Sequence, residues 1–176
     1  VLADYRRYLM PVRPFTLAFR FMHYGRYGAG AQDSRLYPMY LGYETLLRGY
    51  HYNSFNAYDG SSPDSAYYQL FGSKMLLANV ELRFPLFQVL GLGGGWYGIL
   101  PMDFYAFFDS GLAWYDSDFS SEKAWFLGGD RRPLSSAGVG LRMNLFGYFI
   151  MGVSYAHPFD HPRNRGVFQI TFWPGF

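Results

Sequence analysis

Cysteine is absent from these 176 residues, so a life outside the cytoplasm would require a source of stability other than disulfides. Charge is scarce as well. Only 16 % of the residues are charged, where a soluble domain carries about a quarter. The formal net charge of +2 leaves no electrostatic footprint for nucleic acid. Long apolar runs are also missing: the stretch around Phe149 to Val153 is among the longest, against the roughly 18 residues that a spanning helix needs. A helical membrane protein is thereby excluded. Nothing at the start reads as a secretory leader, and Val1 falls inside what reads as a strand. The expectation is a fragment whose leader and upstream domains lie outside it.

What is present is aromatic. Half of the residues are hydrophobic, yet mean hydropathy is close to zero at −0.08, because 18 Phe, 17 Tyr and 4 Trp are interleaved with 21 Gly and with polar residues. Apolar residues in alternation suit a transmembrane barrel, where lipid faces one side of each strand and a polar lumen the other. A soluble β-sandwich alternates too, so composition alone leaves both open. A closed barrel would also supply the stability that disulfides do not.

Reading for period two predicts a first strand near Leu2–Met10, ended by Pro11 and Pro14, and a second at Phe15–Tyr27. In the second, Leu17, Phe19 and Phe21 form a greasy face, and Arg20 and Arg26 lie on the other. A polar stretch from about Gly28 to Ser73 is too long for an ordinary connection and reads as a functional loop. The third strand, Lys74–Phe84, sets Leu76, Ala78, Val80 and Leu82 against Leu77, Asn79, Glu81 and Arg83. After a Gly-rich turn at Gly91–Gly98, the fourth, Met102–Tyr115, sets Phe104, Ala106, Phe108, Leu112 and Trp114 against Tyr105, Phe107, Asp109 and Gly111. A charged loop, Asp116–Pro133, precedes a fifth strand at Ser136–Phe146, where Val139, Leu141 and Met143 oppose Gly138, Gly140 and Arg142. A tight turn at Gly147, a sixth strand at Phe149–His157, a short loop and a last strand at Val167–Phe176 complete the chain.

Short turns thus alternate with longer loops, as in outer-membrane barrels with short periplasmic turns and long extracellular loops. A sandwich has no reason to sort its loops by side. The fold expected is all-β, a transmembrane antiparallel β-barrel portion of about seven strands, with the C-terminus in the periplasm. Seven falls short of the even number, eight or more, with which single-chain bacterial barrels close. Upstream strands, or another chain, are expected to complete the wall, because unpaired edge groups in lipid cost several kcal/mol each.

The chain ends in an alternating aromatic strand, with Phe172 inside it and Phe176 terminal, which resembles the insertion signal of outer-membrane barrels; an interfacial aromatic girdle explains it equally. More specific is Leu47-Arg48-Gly49-Tyr50 within the long loop, followed in order by Asn79-Val80-Glu81-Leu82-Arg83-Phe84-Pro85, Phe107-Phe108-Asp109-Ser110-Gly111 and Gly138-Val139-Gly140-Leu141-Arg142. Together these resemble the C-terminal barrel half of the BamA/TamA family (bacterial surface antigen family), which includes the transporters of two-partner secretion. The resemblance covers nearly the whole chain and implies one barrel domain over residues 1–176, part of a barrel of about 16 strands. It also implies that the loop of residues 28–73 folds inward from the extracellular side. By position Arg48 would be the tip arginine, with Gly49 and Tyr50 beside it, and Glu81 and Asp109 its acidic partners on two wall strands; Phe107, Gly111, Gly140 and Arg142 match the remaining motif.

Alternation independently turns Glu81 and Asp109 toward the lumen, opposite Val80, Leu82, Phe108 and Leu112. Polar filler is the plain alternative. A guanidinium can bridge two carboxylates and so pin a loop whose ordering is costly in entropy, with Gly49 permitting a tight tip and Tyr50 packing on the wall.

An enzymatic reading finds little purchase. His157, Asp160 and His161 hint at a metal, but Pro158 and Pro162 stiffen that turn and no third ligand is identifiable. No serine shares a strand face with a neighbouring histidine, and His51 reads as a packing residue beside Tyr50. The expectation is a cofactor-free, non-enzymatic barrel in the bacterial outer membrane that helps other proteins into or across it. The partners expected are outer-membrane lipid, client outer-membrane or secreted proteins, and upstream strands and periplasmic domains. A structural or surface-exposed barrel in an envelope complex, or a passive channel, is the alternative.

Overall fold

The computed structural model describes residues 1–55, 66–85, 102–145, 148–161 and 165–174, with 173 and 174 described by backbone only. Among the described residues seven strands form one antiparallel sheet: β1 (Leu2–Val12), β2 (Phe15–Gly25), β5 (Lys74–Pro85), β6 (Met102–Trp114), β7 (Leu134–Leu145), β8 (Phe149–Pro158) and β9 (Val167–Pro174). Each pairs with the next along the chain, in the order β1-β2-β5-β6-β7-β8-β9, so the sheet is a meander. It is open, with β1 and β9 as its two edges. Two shorter strands, β3 (Met39–Tyr40) and β4 (Phe71–Gly72), pair with each other inside the connection between β2 and β5, and a single helical turn, α1 (Ala66–Gln69), lies between them.

Strict alternation gives the sheet two chemically different faces, because successive side chains leave a strand on opposite sides. Phe21, Leu76, Leu82, Phe108, Val139, Leu141, Tyr155, Phe168, Ile170 and Phe172 stand exposed on the outer face. The inner face divides along its length. Towards the short turns it carries Asn79, Glu81, Arg83 and Arg142, whereas towards the long connections it carries Met22, Met75, Leu77, Ala113 and Leu134. Those five pack against Met39, Leu41, Leu47, Tyr50, Ala66 and Leu70 of the β2–β5 loop in a single apolar cluster. The loop therefore lies on the inner face and shares a core with it.

The seven wall strands fall where alternation predicts them, with ends displaced by about two residues. β1 runs past Pro11 to Val12 instead of stopping at Met10. Proline is tolerated there because β1 is an edge strand and its pairing with β2 slips between Leu9 and Val12. β2 ends at Gly25 before Tyr27, and β7 starts at Leu134 before Ser136. The β3–β4 ribbon was not expected. Two-residue strands are too short to display a period. The Gly91–Gly98 turn, Gly147 and Phe176 lie outside the described residues.

Candidate functional site

Register assembles the site before any side chain is considered. Asn79 lies opposite Asp109, and Asp109 opposite Ser136. One inward row nearer the short turns, Glu81 lies opposite Phe107, and Phe107 opposite Gly138. The next row runs Arg83, Tyr105, Gly140, Ser154 and Gln169. Two carboxylates, two aromatic rings and two glycines are thus brought together on one patch of the inner face.

Arg48 of the β2–β5 loop lands on this patch. Its Nε donates to Asp109 Oδ2 at 2.6 Å and its Nη2 to Asp109 Oδ1 at 2.7 Å. Its Nη1 donates to Glu81 Oε1 at 2.7 Å. The Arg48 backbone N–H adds a longer bond of 3.3 Å to Asp109 Oδ2. The guanidinium carbon sits 3.7 Å from the centre of the Phe107 ring and 5.6 Å from that of Tyr105. An arginine fork facing a carboxylate in two parallel bonds is among the stronger polar contacts available to a protein.

Burial makes these contacts matter. Asp109 has 0 % of its surface exposed and Arg48 only 9 %. Burial by itself would lower the Arg48 pKa, but the hydrogen bonds and charge of Asp109, with the charge of Glu81, outweigh it and leave the value raised. The group stays cationic at any physiological pH. Asn79 Nδ2 supports the pair by donating to Asp109 Oδ1 at 2.8 Å and to the Leu46 carbonyl at 2.9 Å. Glu81 turns its second oxygen to Arg83 Nε at 2.7 Å, with Arg142 at 3.6 Å.

The glycines of β7 explain how the aromatic rings fit. A Cβ at Gly138 would approach Phe107 Cζ to 2.7 Å, and one at Gly140 would collide with the Tyr105 ring. Both rings lie close against the bare backbone of the neighbouring strand, where a side chain would stand in their way. Gly111 gives the same relief on β6, since a Cβ there would meet Leu41 Cδ2 at 2.6 Å.

The residues after Arg48 continue across the sheet. Gly49 has φ +90°, a left-handed conformation that favours glycine, and its N–H donates to Gln169 Oε1 on β9 at 3.1 Å. The Gln169 amide faces His51 Nδ1 at 3.3 Å. Tyr50 is fully buried, its hydroxyl donating to the Ser135 carbonyl at 2.8 Å and accepting from the Asp160 N–H at 3.2 Å. Burial, the largest influence, pushes that hydroxyl above its ordinary pKa and keeps it protonated. On the opposite flank Arg20 Nη1 donates to the Thr45 carbonyl at 3.0 Å and Arg20 also holds Asp4.

Of the residues singled out in the sequence, Arg48, Glu81, Asp109, Phe107, Gly140 and Arg142 gather here, with Gly49 and Tyr50 beside them and Gly111 under Leu41. Phe172 lies apart, exposed on the outer face of β9. His161 is buried against Phe55 and Tyr50, and the described residues contain no group of three His, Cys, Asp or Glu placed to hold a metal. Gln169, Asn79, Tyr105, Ser135 and Asp160 were not singled out as partners of the loop. The inward position of Gln169 is visible in the alternation of β9, but its contact with the loop, 120 residues away, leaves no local trace.

The family model described as the Omp85 superfamily domain matches residues 8–176. A search of curated proteins gives no match.

Proposed function

This chain belongs to the Omp85 superfamily, whose general role is protein insertion or translocation at the bacterial outer membrane, and from that premise we propose that its sheet is the C-terminal part of a barrel wall serving that role. In this reading the loop of residues 28–73 enters the lumen from the extracellular side and Arg48 latches it to Glu81 and Asp109. Wall strands contributed from elsewhere close the barrel, and periplasmic domains deliver client outer-membrane or secreted proteins. No cofactor takes part, and no bond is made or broken by the chain.

The observation that carries the reading is the engagement of one loop arginine by carboxylates from two adjacent strands, beside a fully buried Asp109. A polar lumen would satisfy its charges along the wall without recruiting a loop tip. The apolar cluster that joins Leu41, Leu47 and Leu70 to the sheet weighs in addition against a passive channel, since the loop covers the long-connection half of the inner face with apolar side chains.

The test compares Arg48→Ala and Arg48→Lys with the unsubstituted protein in cells, measuring outer-membrane levels of the protein, protease resistance of the loop, and delivery of client proteins. The expected result is normal membrane insertion, faster loop cleavage and reduced client delivery in Arg48→Ala, with a partial effect in Arg48→Lys, which keeps the charge and loses the fork. Unchanged cleavage and delivery in Arg48→Ala would remove the latch.

A further inference from the structure

The connection between β6 and β7 does something different from the β2–β5 loop: it folds onto the outer face. Trp114 occupies an outward position of β6, as do Phe108 and Leu112. It is nevertheless buried, in a cluster with Leu112 and Ala124. His23, an outward residue of β2, stacks on Trp114 with ring centres 6.0 Å apart, which fixes the side of the sheet on which this cluster lies. Phe126 meets Trp114 edge-on at 5.6 Å, and Trp125 meets Phe126 in the same manner at 5.9 Å.

The turn that carries these rings is built firmly. Residues Trp125–Leu127 form one 3-10 turn closed by a left-handed Gly128 at φ +80°. Backbone bonds from Trp125 to the Arg131 carbonyl (3.0 Å), from Arg131 to the Lys123 carbonyl (3.1 Å) and from Gly129 to the Ala124 carbonyl (3.0 Å) close its base. The buried Arg131 guanidinium ties that base to the wall through the Ala113 carbonyl, and also donates to the carbonyls of Phe71 in β4 and Ser121 in its own loop. On this fixed base three consecutive large apolar side chains remain about half exposed: Trp125, Phe126 and Leu127 are 55, 46 and 51 % exposed.

Single exposed apolar residues are ordinary on any surface, whereas a contiguous apolar projection marks a contact with something apolar. Its height on the wall identifies that contact. From Phe104 to Trp114 β6 rises ten residues, which at about 3.4 Å each and a tilt of about 40° is roughly 25 Å, the height of the apolar band of such a barrel. Trp114 therefore marks the upper margin of the band, and the turn leaning on it lies where bilayer hydrocarbon gives way to headgroups. Tryptophan and other amphipathic rings favour that layer.

We propose that the Trp125–Leu127 turn is a membrane foot, a lipid-contacting knuckle that seats the long-connection end of the wall in the interfacial layer of its leaflet. It covers the outward residues Leu112 and Trp114 on the same face as the exposed Phe108, and it differs from a girdle within the strands in being carried by a loop that reaches out over the wall. The inference requires only that the outer face meets lipid and is independent of any latch or client.

Site-directed spin labelling supplies a direct test. Nitroxide labels are placed at Trp125→Cys, Phe126→Cys and Leu127→Cys, at Val139→Cys on the outer wall, and at Asp118→Cys in the same loop, in the full protein reconstituted into phosphatidylethanolamine–phosphatidylglycerol vesicles. Collisions with oxygen are compared with those of a water-soluble nickel chelate. The foot positions are expected to give an oxygen-to-nickel ratio several-fold above that of Asp118→Cys, approaching Val139→Cys. A ratio equal to that of Asp118→Cys, or loss of both kinds of collision through cover by another protein, overturns the proposal. Trp125→Phe supplies a readout that survives poor assembly of the cysteine variants: it should remove part of the tryptophan emission quenched by brominated lipid, and unchanged quenching also overturns the foot.

Discussion

Arg48 and Asp109, 61 residues apart in the chain, meet through two parallel hydrogen bonds of 2.6 and 2.7 Å, and the same carboxylate takes the Arg48 backbone N–H. Glu81 receives one bond from Arg48 and keeps Arg83 and Arg142 besides. The two acids are therefore unequal partners.

That inequality predicts a ranking. Asp109→Asn removes the charge that faces the arginine fork and should loosen the loop more than Glu81→Gln does. Arg48→Ala leaves the buried Asp109 with the Asn79 amide and the backbone N–H of residue 48 but no bonded cation, and breaking a buried pair in this way costs about 3–5 kcal/mol. Rates of protease cleavage within residues 28–73 report the order, expected as Arg48→Ala, then Asp109→Asn, then Glu81→Gln.

A second prediction concerns the bare backbone beneath Tyr105. Gly140→Val should destabilise the wall by about 1–3 kcal/mol, since the new side chain falls on the Tyr105 ring and forces it from its place. Combining it with Tyr105→Ala should give less than the sum of the two losses, because the collision disappears with the ring. Urea midpoints in vesicles for the four members of the cycle measure the coupling.

Gln169 ties the loop tip to β9 by accepting the Gly49 N–H. In Gln169→Leu that donor has no acceptor, a loss of about 1–3 kcal/mol, or roughly a tenfold to hundredfold rise in hydrogen exchange at the Gly49 amide. Exchange at the Arg48 amide, held by Asp109, should change far less. Equal acceleration at both would mean that the tip opens as one piece.

The two faces of the sheet make a fourth prediction. Phe108 stands on the outer face midway along β6, so Phe108→Arg should lower stability in vesicles by about 2–4 kcal/mol, the cost of a cation facing lipid near mid-bilayer. In a detergent micelle, where headgroups lie closer, the same substitution should cost less, and matching urea midpoints for the two settings would be inconsistent with a lipid-facing Phe108.

What could be read before folding follows from the range of each interaction. Alternation is local, so Glu81 and Asp109 were assignable to the inner face from their immediate neighbours, and consecutive antiparallel pairing followed from strands joined in sequence. The apolar half of the inner face was half visible: Leu77 stood on the side of Asn79 and Glu81, but nothing local said that Leu41, Leu47 and Leu70 would come to cover it. The ribbon of β3 and β4 and the bond from Gly49 to Gln169 depend on where the loop travels, which no window of neighbouring residues records. The outward fold of the β6–β7 connection was hidden for the same reason, because Trp114 shows the alternation of an ordinary wall residue whether or not Phe126 lies upon it.

Near the long connections the strands wear grease on both sides, with Met22, Met75, Leu77, Ala113 and Leu134 inward and Leu76 outward. Withdrawing the inserted segment bodily would wet those five inward residues together with Leu41, Leu47 and Leu70, and water resists that in proportion to the area uncovered. Lifting the loop off the sheet is therefore costly, and whatever else uses the inner face does so beside the loop rather than in its place.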